Sequence, residues 1–72
     1  MMTRKIFECS YDGIYVIVEL HRGKKNPFRI YRKWYKAGWH RKQLEKYADF
    51  NSCLIFIDGY YRSMTNVYKD FF

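Results

Sequence analysis

With 72 residues the chain has room for one small domain, because a chain so short buries only about 60% of the surface its unfolded form exposes. An aromatic share of 22% is the compensation, since each Phe, Tyr or Trp can bury roughly 150–250 Å². Fourteen Lys and Arg against seven Asp and Glu give a formal charge of +7, which favours polyanions such as nucleic acid, or an acidic protein surface, as partners.

At the N-terminus, Met1-Met2-Thr3-Arg4-Lys5 leads into Ile6-Phe7 and then Glu8, without the apolar core of a signal peptide. No run approaches the ~20 apolar residues of a membrane span, so the expected address is the cytoplasm. Cys9 and Cys53 are too few for a disulfide framework, and no CxxC or Cys/His cluster points to metal. Both are expected as buried thiols.

Half-alternating residues 5–11 read as a first strand, and Tyr11-Asp12-Gly13 supplies turn chemistry before a β-branched run over 14–21. In that second strand Val16, Val18 and Leu20 share one face, while Tyr15, Ile17, Glu19 and His21 take the other. Arg22-Gly23-Lys24-Lys25-Asn26-Pro27 is a polar turn into a third strand over 28–36. Its alternation assigns Phe28, Ile30 and Trp34 to the core, and Arg29, Tyr31, Lys33 and Tyr35 to solvent or ligand. Lys36-Ala37-Gly38 turns the chain again, and residues 39–47 read as a fourth strand with Leu44 and Tyr47 inward.

Asp49 is the expected N-cap of a helix over about 50–64. Phe50, Cys53, Leu54, Ile57, Tyr61 and Met64 fall at the three and four spacing of one helix face, and Gly59 weakens the helix by roughly 1 kcal/mol relative to Ala, leaving room for a bend or an early end there. Ile55, Phe56 and Tyr60 lie off that face and call for a cover. The tail over 65–72 is one candidate, and a second copy of the chain, giving a homodimer, is the other. The expected architecture is α+β, a three- to four-stranded antiparallel meander with one C-terminal helix packed on one face.

No site for chemistry is legible. Gly13-Ile14-Tyr15 matches the opening letters of the GIY-YIG nuclease motif, but the position about ten residues on reads Gly23-Lys24-Lys25-Asn26, and the catalytic partners are missing. His21 and His40 lack the neighbours of a nucleophile and its base, and the acidic residues are scattered singly. A non-enzyme without cofactor or metal is therefore expected.

The suggestive stretch is Asn26–Tyr47. Ten of the fourteen basic residues fall between Arg22 and Lys46, namely Arg22, Lys24, Lys25, Arg29, Arg32, Lys33, Lys36, Arg41, Lys42 and Lys46. Interleaved with them, Tyr31, Tyr35 and Trp39 offer rings for bases or sugars, while Arg29, Lys33, Lys36 and Arg41, with Lys24 and Lys25 in the preceding turn, offer charge for phosphates. A two-stranded ribbon of this kind also fits a B-DNA major groove. The bland reading is a solvated strand whose charges discourage aggregation.

The junction Tyr47-Ala48-Asp49-Phe50-Asn51-Ser52-Cys53-Leu54, following successive strands, resembles that of plant ethylene-response-factor DNA-binding domains and of the arm-site-binding domains of tyrosine integrases. There an aromatic residue, a capping Thr or Ser and a small residue lead into the helix as Phe-x-Thr-x-x-x-Ala. Tyr47, Asp49 and Cys53 stand in the matching places. The resemblance implies that the sheet faces a DNA major groove, with Arg29, Tyr31, Lys33 and Arg41 at the contact. The expectation is thus a small nucleic-acid-binding protein, DNA ahead of RNA. The alternative is an adaptor or inhibitor of the kind mobile elements encode, docking on an acidic protein.

Overall fold

The computed structural model describes residues 3–64. Four strands, β1 (Thr3–Tyr11), β2 (Ile14–His21), β3 (Phe28–Tyr35) and β4 (Trp39–Tyr47), precede one helix, α1 (Phe50–Met64). The strands form a single antiparallel sheet in the order β1-β2-β3-β4, so every connection is a hairpin. The α+β meander expected from the sequence is therefore the fold.

The tight turns follow from their residues. Asp12 and Gly13 have φ of 55° and 78°, the paired left-handed conformations that match the twist of a two-residue hairpin. Between β3 and β4 the chain turns through Ala37 and Gly38, with φ of 55° and 125°, and Lys36 N–H donates to the Gly38 carbonyl at 2.8 Å. The longer β2–β3 loop is closed where His21 N–H donates to the Pro27 carbonyl at 2.7 Å.

One sheet face carries the main core: Ile14, Val16 and Val18 of β2, Ile30 of β3, and Cys53 and Ile57 of α1. Burying each such aliphatic side chain is worth about 1.5–3 kcal/mol relative to exposure. Two irregularities widen this face. The β1–β2 register skips Ile6, so Ile6 and Phe7, adjacent in sequence, both pack on the core. The β3–β4 register skips Leu44, which lets Leu44 and Tyr47, three positions apart, both turn inward as expected. In a regular strand those two would point oppositely; the extra residue of a bulge resets the alternation.

Helix α1 starts where expected. Asp49 accepts from Ser52 N–H at 3.0 Å and from the Ser52 hydroxyl at 2.8 Å, an N-cap that satisfies one of the orphan donors of the first turn. The helix runs through Gly59 to Met64, the span expected from the sequence, and does not end early at the glycine.

Its roll differs from the expectation. Leu54 is 37% and Met64 45% exposed, whereas Phe56 and Tyr60 pack on the core, with Phe56 against Tyr47 and Tyr60. The cause is the helix's diagonal path. Phe50 at its start meets Phe7 and Phe28, while Tyr61 near its end meets Tyr11, and its hydroxyl donates to the Ile14 carbonyl at 2.8 Å. This line tips the 56/60 side toward β4 and lifts Leu54 away. Of the three residues expected to need a cover, only Ile55, 71% exposed, stands fully outside; the tail proposed to cover them lies outside the described residues. The same path leaves the β3–β4 corner uncovered, so Trp34, expected in the core, is 42% exposed. It stacks on His40 at 5.7 Å beside a cavity of about 640 Å³ lined by Arg32, Trp34, Lys42, Leu44, Tyr60 and Met64.

Candidate nucleic-acid interface

No element among the described residues covers the second sheet face, and the strand register says which side chains it holds. Across it run Lys5, Glu19, Arg29 and Lys46 in one row, then Ile17, Tyr31 and Gln43, then Ser10, Tyr15, Lys33 and Arg41, and finally Tyr35 and Trp39. Glu8 stands opposite Ile17. Five cations thus share the face with two carboxylates.

The pairing across β3 and β4 is unusual in sign. Arg29 stands opposite Lys46, and Lys33 opposite Arg41; on the helix side Arg32 stands opposite Lys42. Like charges directly opposite on neighbouring strands destabilise a sheet. Such pairs are a standing electrostatic cost, and an anion laid along the open face would relieve the two that lie there.

The two carboxylates answer part of that charge. Glu19, whose side chain is only 14% exposed, accepts from Arg41 Nη1 at 2.7 Å and lies 3.0 Å from His21 Nε2. Glu8 accepts from Lys5 Nζ and from the Tyr15 hydroxyl, both at 2.6 Å. These two hydrogen bonds hold the Glu8 carboxyl below the usual range, the Lys5 bond contributing most. The same contacts raise Lys5 and Tyr15. Among the described residues, no carboxylate makes an ion pair with Arg29, Lys33 or Lys46. Arg29 also has a buried Nε without a hydrogen-bond partner, a donor whose desolvation is not repaid within the described residues.

The expected contact residues separate into groups. Lys33, Tyr35 and Trp39 come together at one end, with Tyr15 beside them. Tyr35 and Trp39 meet at 5.5 Å and Tyr15 and Trp39 at 6.3 Å, while Lys33 Nζ lies 5.1 Å from the Trp39 ring centre and 5.9 Å from that of Tyr15. Lys36, exposed in the adjoining turn, belongs to the same end. Arg29 and Arg41 lie on the same face farther along. Lys24 and Lys25 are exposed in the β2–β3 loop, at the opposite end of β3. Eight residues of β3 at about 3.3 Å each separate the two ends.

Tyr31 is the correction. Expected at the contact, it is only 6% exposed, because Arg41 lies across its ring with the guanidinium carbon 4.1 Å from the centre. Together with Ile17, 2% exposed, it makes a small second core under the polar layer. His40 reaches the Lys36 carbonyl at 2.9 Å, on the helix side opposite Trp34.

Sequence reasoning counted Lys46 in the basic stretch and put Tyr15 and Glu19 on one side of β2, but joined none of them to the contact and missed Glu8 and Glu19 as its internal clamps. The signal lay in the hairpin register: a two-residue Asp12-Gly13 turn fixes β1 on β2, and pairing β2 with β3 brings Tyr15 opposite Lys33.

Among the described residues, no group of three or more His, Cys, Asp or Glu could hold a metal ion, and no helix is long and apolar enough to cross a membrane. No protein-family model matches the chain, and comparison with curated proteins and with solved structures likewise finds no match.

Proposed function

We propose that the chain is a small non-catalytic nucleic-acid-binding protein, DNA ahead of RNA, that uses the sheet face opposite α1. The observation that carries this reading is the like-charge pairing on that face, Lys33 with Arg41 and Arg29 with Lys46, where only Glu8 and Glu19 offset five cations. A polyphosphate chain supplies anions at a repeat short enough to meet several of these cations at once, and each contact releases counterions. The resemblance to sheet-binding DNA domains supports the same face.

The test is anisotropy of a labelled oligonucleotide at rising salt. Binding that weakens linearly on a log–log plot, with a slope reduced by roughly 0.7–0.9 for each phosphate contact removed in Lys33→Ala and Lys46→Ala, is the expected result. No anisotropy change with single or double strands at low salt overturns the reading.

A second reading, an adaptor on an acidic protein, is favoured by the outer helix stripe of Leu54 and Ile55, 37% and 71% exposed, which nucleic-acid binding leaves unused. Recovery of one stoichiometric acidic protein after nuclease treatment, lost in Ile55→Glu, supports it.

A further inference from the structure

We propose that Tyr15, Lys33, Tyr35 and Trp39 form a stacking platform for the unpaired bases of a single-stranded nucleic acid, a ligand class that rests on the nucleic-acid reading above and narrows it. Two large rings, Tyr35 and Trp39, are 68% and 62% exposed on neighbouring strands, directly opposite each other. Strand pairing sets them side by side in near-perpendicular contact, at 75°, each with a ring surface open to a base. Tyr15 is tied to Glu8 through its hydroxyl and steadies the third side of the cluster. The Lys33 ammonium lies among these rings, within reach of a phosphate joining two stacked nucleotides, and Lys36 adds a second charge at the rim.

Duplex recognition fits the same face less well. Bases inside a duplex show no ring face, so exposed aromatics gain little from it. Reading base edges in the major groove calls on Arg with two donors turned outward. Arg41, on the edge strand β4, instead spends Nη1 on Glu19 and its guanidinium plane on Tyr31. The side chains left projecting are those suited to base stacking with phosphate neutralisation, the combination that recognises single strands without sequence preference.

The experiment uses the full chain in a Trp34→Phe background, so that Trp39 is the one fluorescent indole. Oligo(dT), oligo(U) and a closed dumbbell duplex of equal phosphate number are titrated at one salt concentration. The expected result is quenching of Trp39 by both single strands, tighter single-strand than dumbbell binding, and a loss of about ten-fold for single strands in Tyr35→Ala or Trp39→Ala, the effect of one base–aromatic stack. The dumbbell should be unaffected by either substitution, and Trp39→Phe should retain most single-strand affinity. Dumbbell binding as tight as single-strand binding with no quenching overturns the platform but leaves the nucleic-acid reading standing. Failure of all three probes to bind overturns both. Preference for oligo(U) or oligo(dT) identifies RNA or DNA as the source of the unpaired bases.

Discussion

The Arg41 guanidinium lies 4.1 Å from the centre of the Tyr31 ring while its Nη1 donates to Glu19 at 2.7 Å, so one side chain of β4 ties together β3 and β2. The contact explains how a face without a covering helix still buries Tyr31 and Ile17. A planar cation serves as the lid, its flat side on the ring and its edge on a carboxylate. It also explains why formal charge overstates what the face offers a ligand, since Arg41 is already partly neutralised.

Glu19→Gln should therefore move stability and binding in opposite directions. Losing the carboxylate weakens a charge-assisted hydrogen bond and leaves Arg41 less compensated, so unfolding in urea should show a loss of about 1 kcal/mol. The released guanidinium becomes available to a phosphate. Nucleic-acid affinity should rise and its salt slope steepen by about one contact, roughly 0.7–0.9. If affinity and stability fall together, Arg41 does not contribute charge to the ligand.

Tyr61 pins the far end of the helix to the β1–β2 hairpin. Its hydroxyl donates to the Ile14 carbonyl at 2.8 Å, with the Cys9 carbonyl at 3.3 Å and the Cys9 thiol at 3.5 Å. Tyr61→Phe keeps the ring contact with Tyr11 and removes only the hydroxyl, so a loss of about 1 kcal/mol is expected from denaturant midpoints. Amide exchange should quicken most in the last turns of α1, next to the severed bond. Uniform acceleration along the helix would show that the hydroxyl does not act as a local pin.

Gly59 is a site for stabilisation. It lies within α1, its φ is outside the left-handed range, and a Cβ built there meets nothing within 4 Å. Gly59→Ala should then add roughly 0.5–1 kcal/mol by restricting the unfolded chain and improving helix propensity. A thermal melt measures it. A lower melting temperature would mean that the open space beside Gly59 is needed by something that packs there.

The strands, turns and cap were legible because their signals are local. Alternation marks Val16 and Val18, Asp12-Gly13 fixes a two-residue turn, and Asp49 caps whatever helix follows it. What sequence did not disclose depends on pairing between distant segments. The bulges at Ile6 and Leu44 exist only in the register of two strands. The helix roll, which draws in Phe56 and Tyr60 and leaves Leu54 and Met64 outside, follows from the diagonal set by Phe50 and Tyr61 at opposite ends of the sheet. Tyr31 alternates with the exposed residues as expected, and only a side chain from the next strand hides it. For the candidate site the residue types were readable, but the clamps Glu8 and Glu19 and the partner Tyr15 come from strands outside the stretch that holds the charge.

Alkaline pH should weaken the fold. Burial pushes the Cys53 thiol from its ordinary 9.0 up to about 11, with Asp49 adding to the shift. Burial likewise raises Tyr61, helped by its contact with Cys9, and raises Tyr47. Below pH 9 both folded and unfolded chains keep the Cys53 proton, and it contributes nothing to pH dependence. Between 9 and about 11 the unfolded chain releases a proton that the folded chain retains, so stability falls as pH rises; the tyrosines continue the decline above their ordinary value of 10.0. Melting temperature should thus drop through this window, and Cys53→Ala, though less stable at neutral pH because it leaves a small void, should show a shallower decline. An equally steep decline in that variant would assign the alkaline weakening to the tyrosines and to Lys5, whose bond to Glu8 is lost when its ammonium deprotonates.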